Sequence, residues 1–440
     1  MLFRSLGAFA TVARAFAAQS APQSGAVAGP LTIEQAVQIA LSRNDGLKAT
    51  EQRVRESEAG VAEARAGFLP SVNLNFAYTP SQASPLLRIP AGAFGPTEQT
   101  FRANFVRENV MRVDLQQPVY TGGRLEHALG AQLATREVAR LGVERTRQTL
   151  TLRVYETFYA ALMNEQGLRV NEEGVQIATR HLELARARFD AGTAARLDVL
   201  RAEVELANAR ARLIRARSAS DVSVQALRTV LALRPEEALT LSGTLNELPA
   251  IPMRPALDTA IEARPDLRAF GEQRTAAQHG IALASASLKP TLAFTGNLQY
   301  QEDGLSNLLE GTNRSYQLGL SFGVPLFNRP RAAAQRAAAT ARVREVEFGA
   351  RAALDGARLE LASAITEYES AREIVSTEEK AVELARESLA IAEVSYENGV
   401  ITATELNDAR LSLLQTEWEL TQARYSEIVA AARTRYAAGL

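Results

Sequence analysis

The segment 188–213, with the sequence RFDAGTAARLDVLRAEVELANARARL, carries two separate apolar stripes. Within each stripe the apolar residues recur every three or four positions, which predicts an α-helix. At about 100° per residue, the centres of the two stripes lie roughly 140° apart around this helix. The first stripe comprises Leu197, Leu200, Val204, Ala207, Ala211 and Ile214, and the second comprises Val199, Ala202, Leu206, Ala209 and Leu213.

A helix with apolar faces on two sides predicts neighbours on both sides, as in a wall of helices. Polar residues separate the stripes, with Arg201, Glu205 and Arg212 on one side and Glu203 and Arg210 on the other. A wall that closes on itself would therefore enclose a water-filled tube. The alternative is a two-helix hairpin with one buried seam, in which the second stripe has no structural role.

Two stretches of about 65 residues contain no proline, from about Arg124 to Phe189 and from about Arg331 to Tyr396. Each would span about 100 Å as a helix, which is too long for a compact domain of this size. Shorter helices must then complete the return path of the chain. The predicted shorter helices are 32–68, 194–232, 256–288 and 402–437.

Between the helices, apolar and polar residues alternate with a period of two, as in a β-strand with one apolar face. Val72, Leu74 and Phe76 alternate with polar residues such as Asn73. Strands of about 10 residues with this pattern suit a membrane barrel with a wet lumen. A half-buried strand of a soluble sandwich is the alternative, and the turn-rich residues 80–105 are predicted to be a long external loop. The predicted strands are about 71–79, 106–118, 291–301 and 315–326.

The two halves of the chain repeat one unit. Gly192 and Gly399 lie 207 residues apart, and Pro118 and Pro325 have the same separation. Helix-breaking residues match as well as helical ones, which indicates a duplicated architecture. The predicted domains are a signal peptide at 1–19, an N-terminal linker at 20–30, a first repeat at 31–232 with its tip near 192, an equatorial connector at 233–255, and a second repeat at 256–438 with its tip near 399.

Composition narrows the possible functions. The chain has 49 basic and 50 acidic residues, which removes the electrostatic case for binding nucleic acid. It has no cysteine, which excludes disulfides and thiolate metal sites. The first residues resemble a secretory signal peptide, because Arg4 precedes an apolar stretch that ends in small residues. No run of about 18 apolar residues occurs, so no transmembrane helix is predicted.

Candidate chemistry is sparse. His127, His181 and His279 are isolated on predicted helices, without a second ligand at helical spacing. We therefore predict no metal site, no cofactor and no enzymatic activity. The four strands cannot close a barrel alone, because unpaired backbone groups cost several kcal/mol each in lipid. Two, three or four copies would supply 8, 12 or 16 strands.

These motifs resemble the outer-membrane efflux protein family typified by TolC, over about residues 31–438. The resemblance lies in Ala40, Leu41, Asn44 and Leu47, in the Leu69-Pro70 entry to the first strand, in QPVYTGGR after the second, and in the tip motif that starts at Phe189. It implies an internally duplicated, mixed α and transmembrane β fold. Four strands per chain would join a trimeric 12-strand β-barrel in the outer membrane, and the long helices would form a coiled-coil α-helical tunnel in the periplasm.

The resemblance also implies roles for residues at the two hairpin tips. Glu405 and Asp408 would form an acidic ring at the periplasmic gate, and the alternative is that they merely cap a helix. Two departures from the family pattern are Ile401, where a basic residue is common, and Asp45, where proline is common. The implied closed-state tip contacts are Asp198 and Tyr396, and the implied adaptor-docking residues are Gly192, Thr193, Gly399 and Val400.

The function implied is that of a passive exit duct. It would export small molecules together with a periplasmic adaptor protein and an inner-membrane pump of the RND or ABC type, without chemistry of its own. The exit duct of a type I protein secretion system has the same architecture and is the first alternative. A periplasmic coiled-coil scaffold or adaptor is an alternative of another class.

Overall fold

The computed structural model describes residues 29–440 except 81–85, 94, 103–107, 235, 238, 253, 303–313 and 399. The predicted signal peptide at 1–19 and most of the predicted linker lie outside the described residues. Most described residues are helical, and the strands form one four-stranded and one two-stranded sheet. Within the described ranges, no helix combines the length and the apolar character needed to cross a bilayer.

The chain forms two compact units, and each takes segments from both predicted repeats. The first unit comprises the described residues up to Arg43 together with 153–248 and 374–429. The second comprises 44–152, 249–373 and 430–440. The predicted domain boundaries follow the repeat in sequence instead and stay predictions.

The helices follow the same order in the two halves of the chain. α3 has 67 residues and α7 has 69, so each spans about 100 Å at 1.5 Å per residue. A short 3₁₀ turn, Ile261–Ala263, follows α5. The helices are α1 (Ile33–Arg43), α2 (Asp45–Ala66), α3 (Arg124–Asp190), α4 (Arg196–Val230), α5 (Arg254–Ala260), α6 (Pro265–Ala286), α7 (Arg329–Glu397) and α8 (Ala403–Ala438).

The prediction of one continuous helix at 32–68 and another at 256–288 is wrong, because each range contains a break between two helices. At the first break, the Asn44 side chain accepts a hydrogen bond from the backbone N–H of Leu47 at 3.1 Å and caps α2. At the second, Arg264 adopts an extended conformation before Pro265, as the residue before a proline prefers. The breaks lie at matching positions of the two repeats.

The four-stranded sheet is antiparallel throughout and has the order β1-β4-β5-β6. The loop predicted at 80–105 contains a two-stranded hairpin, β2 with β3, whose strands have four residues each. Alternation over four residues is too short to separate a strand from a loop by sequence. The strands are β1 (Ser71–Thr79), β2 (Leu86–Ile89), β3 (Gln99–Arg102), β4 (Glu108–Tyr120), β5 (Thr291–Glu302) and β6 (Arg314–Gly323).

The register of the four-stranded sheet separates apolar from polar residues. One row across the four strands is apolar and the next row is polar, so the sheet has an apolar and a polar face. The apolar face is open in this chain, since Leu74 is 66% exposed and Leu320 is 69% exposed. The apolar row is Leu74, Val113, Leu298 and Tyr316, and the polar row is Asn73, Asp114, Asn297 and Gln317.

In the first unit, α4 buries one of its two stripes against α3. Val199, Ala202 and Leu206 pack on Ala178 and Leu182 in one cluster of buried residues. The other stripe faces outward, with Leu197, Val204 and Ile214 exposed by 53%, 61% and 71%. A single chain therefore supplies a partner for only one of the two stripes.

In the second unit, the C-terminal end of α8 packs on α7 and α5. Ala437 and Ala438 lie in a buried cluster with Leu257 of α5 and Leu361 of α7. Beside this cluster the buried Arg264 binds the Ala437 carbonyl oxygen at 2.9 Å. Apolar packing and a hydrogen bond from the buried Arg264 thus fix the C-terminal end of α8 against its neighbours.

Candidate functional site: the hairpin tips

The first hairpin tip is a glycine turn at the end of α3. The Gly192 N–H donates to the Phe189 carbonyl at 2.9 Å, and the Thr193 N–H donates to the Arg188 carbonyl at 2.8 Å. These two bonds form a Schellman motif, which requires a left-handed residue after the helix. Gly192 supplies it with φ +78°, and both Gly192 and Thr193 are exposed.

The second tip repeats the second of these two bonds, and Gly399 itself lies outside the described residues. The Val400 N–H donates to the Ser395 carbonyl at 2.8 Å. This bond lies 207 positions after the one between Thr193 and Arg188, the same offset as in the sequence repeat. Val400 is 75% exposed and so presents an apolar side chain at the tip.

The helix that follows each tip starts with an acidic cap. Asp198 accepts from the Ala195 N–H at 3.1 Å, and Glu405 accepts from the Thr402 N–H at 2.7 Å and its hydroxyl at 2.9 Å. The Glu405 N–H donates in return to the Thr402 hydroxyl at 3.3 Å, which completes a capping box. The backbone hydrogen bond from Thr402, followed by the one from its hydroxyl, lowers the pKa of Glu405.

The structure therefore gives Glu405 the capping role that the sequence left as the alternative to a gate residue. Asp408 lies one turn further along α8 and is exposed, as is Glu405. The periodic patterns of the sequence do not single out Thr402. Its signal is the Thr-Ala-Thr-Glu run at 402–405, in which the spacing of Thr402 and Glu405 is that of a capping box.

The two residues implied for the closed state lie on different elements. Asp198 lies in the first turn of α4, and Tyr396 lies in the last turn of α7 with 38% exposure. In the described part of the chain they are not hydrogen-bonded to each other, and Asp198 bonds to Ala195 instead. Their role in links between neighbouring hairpins stays a prediction.

Each histidine has a partner on another helix, and the prediction that none has a second ligand at helical spacing is unchanged. His181 of α3 lies 3.0 Å from a carboxylate oxygen of Glu205 on α4. The Nδ1 atoms of His127 and His279 lie 3.2 Å apart, on α3 and α6. These partners lie on other helices, so spacing within one helix does not indicate them. Among the residues that the structure describes, no group of three or more His, Cys, Asp or Glu side chains could hold a metal ion.

The family model for outer membrane efflux proteins matches residues 36–233 and 256–440. The chain belongs to the outer membrane efflux protein family. Membership places the protein in the outer membrane, and the two matched ranges correspond to the two halves of the sequence repeat.

Two relatives resemble this chain, which spans a little less than two thirds of the length of the first. It is 24% identical over 302 residues to the cobalt-zinc-cadmium resistance protein CzcC of Cupriavidus metallidurans, covering 69% of this chain and 65% of CzcC. It is 23% identical over 357 residues to the alkaline protease secretion protein AprF of Pseudomonas aeruginosa, covering 78% and 73%.

The crystal structure of the Campylobacter jejuni CmeC outer membrane channel has the same fold. It superimposes with a TM-score of 0.79 at 16% identity, over 92% of this chain and 85% of CmeC. The prediction of a largely helical chain with a four-stranded sheet is thereby confirmed.

Proposed function

We propose that this protein is the passive exit duct of a tripartite efflux system, active as a homotrimer in the outer membrane. Its four-stranded sheets would form a 12-strand barrel, and its long helices would form a tunnel in the periplasm. A periplasmic adaptor protein and an inner-membrane pump would supply the cargo and the energy. The observation that carries this proposal is the four-stranded sheet with one apolar and one polar face.

The sheet supports the proposal because its exposed apolar face suits lipid and its polar face suits a wet lumen. Its outer strands, β1 and β6, each pair on one side only within the described sheet. Open edges cost several kcal/mol per unpaired group in lipid, so further copies of the sheet are needed to close the ring.

The outward stripe of α4 supports the same assembly. In one chain, Leu197, Val204 and Ile214 are more than half exposed. A neighbouring copy would cover them and continue the wall of helices. We assign the adaptor to the exposed tip residues Gly192, Thr193 and Val400, with Gly399 by the sequence repeat.

The acidic pair on α8 would lie inside the periplasmic opening. Three copies of Glu405 and Asp408 would place six carboxylates around it, which attract cations. The capping box does not exclude this role, because a carboxylate that accepts hydrogen bonds keeps its negative charge. The lowered pKa of Glu405 favours the ionised form of its side chain.

Single-channel recording of the detergent-extracted protein in planar bilayers tests both ideas. We expect small, cation-selective channels whose selectivity falls in the double variant Glu405→Gln and Asp408→Asn. Thr402→Ala is the matched control, since it weakens the cap without changing the charge. Unchanged selectivity in the double variant would reject the ring, and the absence of any channel would reject the duct.

A type I secretion duct is the second candidate, and the similarity to AprF favours it. The two candidates differ in cargo, so deletion of the gene in its host distinguishes them. Loss of a secreted protein from the medium supports secretion, whereas sensitivity to drugs or metals with normal secretion supports efflux. A periplasmic scaffold is the third candidate, and it predicts a protein that stays monodisperse without detergent.

A further inference from the structure

The polar face of the four-stranded sheet carries two opposite charges on one strand. Arg112 and Asp114 lie two residues apart on β4, a central strand, and so point to the same face. Their Cα atoms are therefore about 7 Å apart along the strand. Arg112 is exposed and Asp114 is half-buried. Among the described side chains of this face, their neighbours are neutral.

Neutral amides from the adjacent strands fix both charged groups. Asp114 accepts hydrogen bonds from Asn75 of β1 at 3.0 Å and from Asn297 of β5 at 2.7 Å. The Arg112 guanidinium donates twice to the Gln299 side-chain oxygen, at 2.8 and 3.3 Å. These amides hold the carboxylate and the guanidinium in place without cancelling their charge by a direct ion pair.

We propose that Arg112 and Asp114 form a bipolar contact site for permeants that carry both signs of charge. The proposal rests on the proposed duct, in which this face lines the lumen. Three copies would place a ring of guanidinium groups beside a ring of carboxylates, on Cα positions about 7 Å apart along each strand. Because this Cα spacing is shorter than the Debye length of about 8 Å at physiological salt, the opposite fields of the two rings overlap and largely offset each other for simple ions.

Two consequences follow from this arrangement. A ring of one sign makes a pore selective for the opposite charge, and two adjacent rings of opposite sign largely offset each other. The barrel section then selects little by net charge. A small zwitterion whose amine and carboxylate are separated by several methylenes can instead contact both rings at once.

Reversal potentials in a salt gradient test the offset of the two rings. We expect Arg112→Gln to raise the permeability of potassium relative to chloride, and Asp114→Asn to lower it. The double variant should return close to the wild-type ratio. Asn73→Ser, a neutral change on the same face, is the control. If the Asp114→Asn protein does not assemble into channels, the permeability ratio of Arg112→Gln alone tests the proposal.

Block of the open channel tests the ligand class. We expect 6-aminohexanoate to reduce the current more than hexylamine or hexanoate at equal concentration, and this difference should disappear in either single variant. Channels whose permeability ratio is the same in wild type and Arg112→Gln would overturn this inference while the duct stands. Failure of the wild-type protein to form channels would instead overturn the proposed function.

Discussion

Gly167 of α3 lies directly against the indole ring of Trp418 on α8. A Cβ atom placed on Gly167 would stand 2.7 Å from the ring carbons Cη2 and Cζ3. The close approach of the two helices therefore depends on the missing side chain. Gly174 lies two turns further along α3, and a Cβ placed there meets nothing within 4 Å.

These two glycines should respond to alanine in opposite directions. Gly167→Ala overpacks the contact and should destabilise the protein by about 1–3 kcal/mol. Gly174→Ala should stabilise it by somewhat less than about 1 kcal/mol, since alanine is the better helix former. Trp418 is the only tryptophan, so its emission during denaturant unfolding reports both changes. A shift of the same sign in both variants would contradict the contact.

The C-terminal turns of α4 and α8 offer a second pair of variants. Ala232 has φ +51° and Gly439 has φ +83°, 207 residues later in the repeat. A left-handed conformation destabilises a residue with a Cβ atom by about 1–2 kcal/mol. Glycine avoids this strain, but it loses more conformational freedom on folding, which offsets part of the gain. Ala232→Gly should therefore raise the stability by up to about 1 kcal/mol.

Gly439→Ala should lower the stability, because the new Cβ would stand 2.7 Å from Cγ of Arg264. Thermal unfolding in detergent measures both variants. A loss of stability in Ala232→Gly would show that the left-handed turn carries no strain at that position.

Because one stripe of α4 is exposed and the other is buried, substitutions in the two stripes should have different effects, one on assembly of the oligomer and the other on folding of the protomer. Val204 is 61% exposed in the chain and Leu206, two residues later, is 6% exposed. Val204→Asp should leave the protomer folded but weaken the proposed trimer by roughly 2 kcal/mol or more per copy, because the interface between copies would bury a carboxylate. Light scattering of the detergent-extracted protein measures the oligomer.

Leu206→Asp should unfold the protomer itself, whereas Asn208→Asp, an exposed change of the same charge, should affect neither property. If the Val204→Asp protein formed oligomers of normal stability, the outward stripe would not be part of the interface between copies.

The buried cation of the second unit predicts acid sensitivity. Arg264 donates to both carboxylate oxygens of Asp266, at 3.1 and 2.8 Å, and to Glu360 at 2.7 Å. Burial alone would raise the pKa of Asp266, but the hydrogen bonds from Arg264 and the charge of Arg145 lower it. The folded-state pKa therefore lies below the unfolded value of about 3.9.

A carboxylate with a lowered pKa stabilises the fold fully above about pH 5, and this contribution is lost as the pH falls through the folded-state pKa. Asp266→Asn should therefore be less stable than wild type at neutral pH, and the gap should close in acid. The unfolding midpoints of both proteins, recorded between neutral pH and about pH 3, measure this difference in stability. Asp355→Asn is the control, since the Asp355 side chain is 77% exposed. A gap that is independent of pH would contradict the lowered pKa.

Periodic patterns in the sequence were sufficient to predict the long helices and the strands of the four-stranded sheet. Val72, Leu74 and Phe76 alternate over enough residues to predict a strand, and no proline interrupts α3 or α7. Periodic patterns did not predict features that depend on a single residue. The breaks before Asp45 and Pro265 depend on one cap and one proline, and a helical pattern continues on both sides of each.

Contacts between distant parts of the chain were also beyond the sequence. The pairs His127–His279 and His181–Glu205 join different helices, and spacing within one helix gives no sign of them. The two stripes of α4 were predicted from their periodicity, but periodicity could not tell which one the chain itself covers. That answer depends on where α3 lies, and the structure shows that the Val199 stripe is the covered one.

The even number of strands in the main sheet decides how copies of the protein can be oriented. In the order β1-β4-β5-β6 each strand runs opposite to its neighbour, so β1 and β6 point in opposite directions. When β6 of one copy meets β1 of the next by simple rotation, the antiparallel alternation continues across the junction. In the proposed ring, every copy would then have the same orientation in the membrane, whereas an odd number of strands would force a parallel pair at each junction or an inverted neighbour.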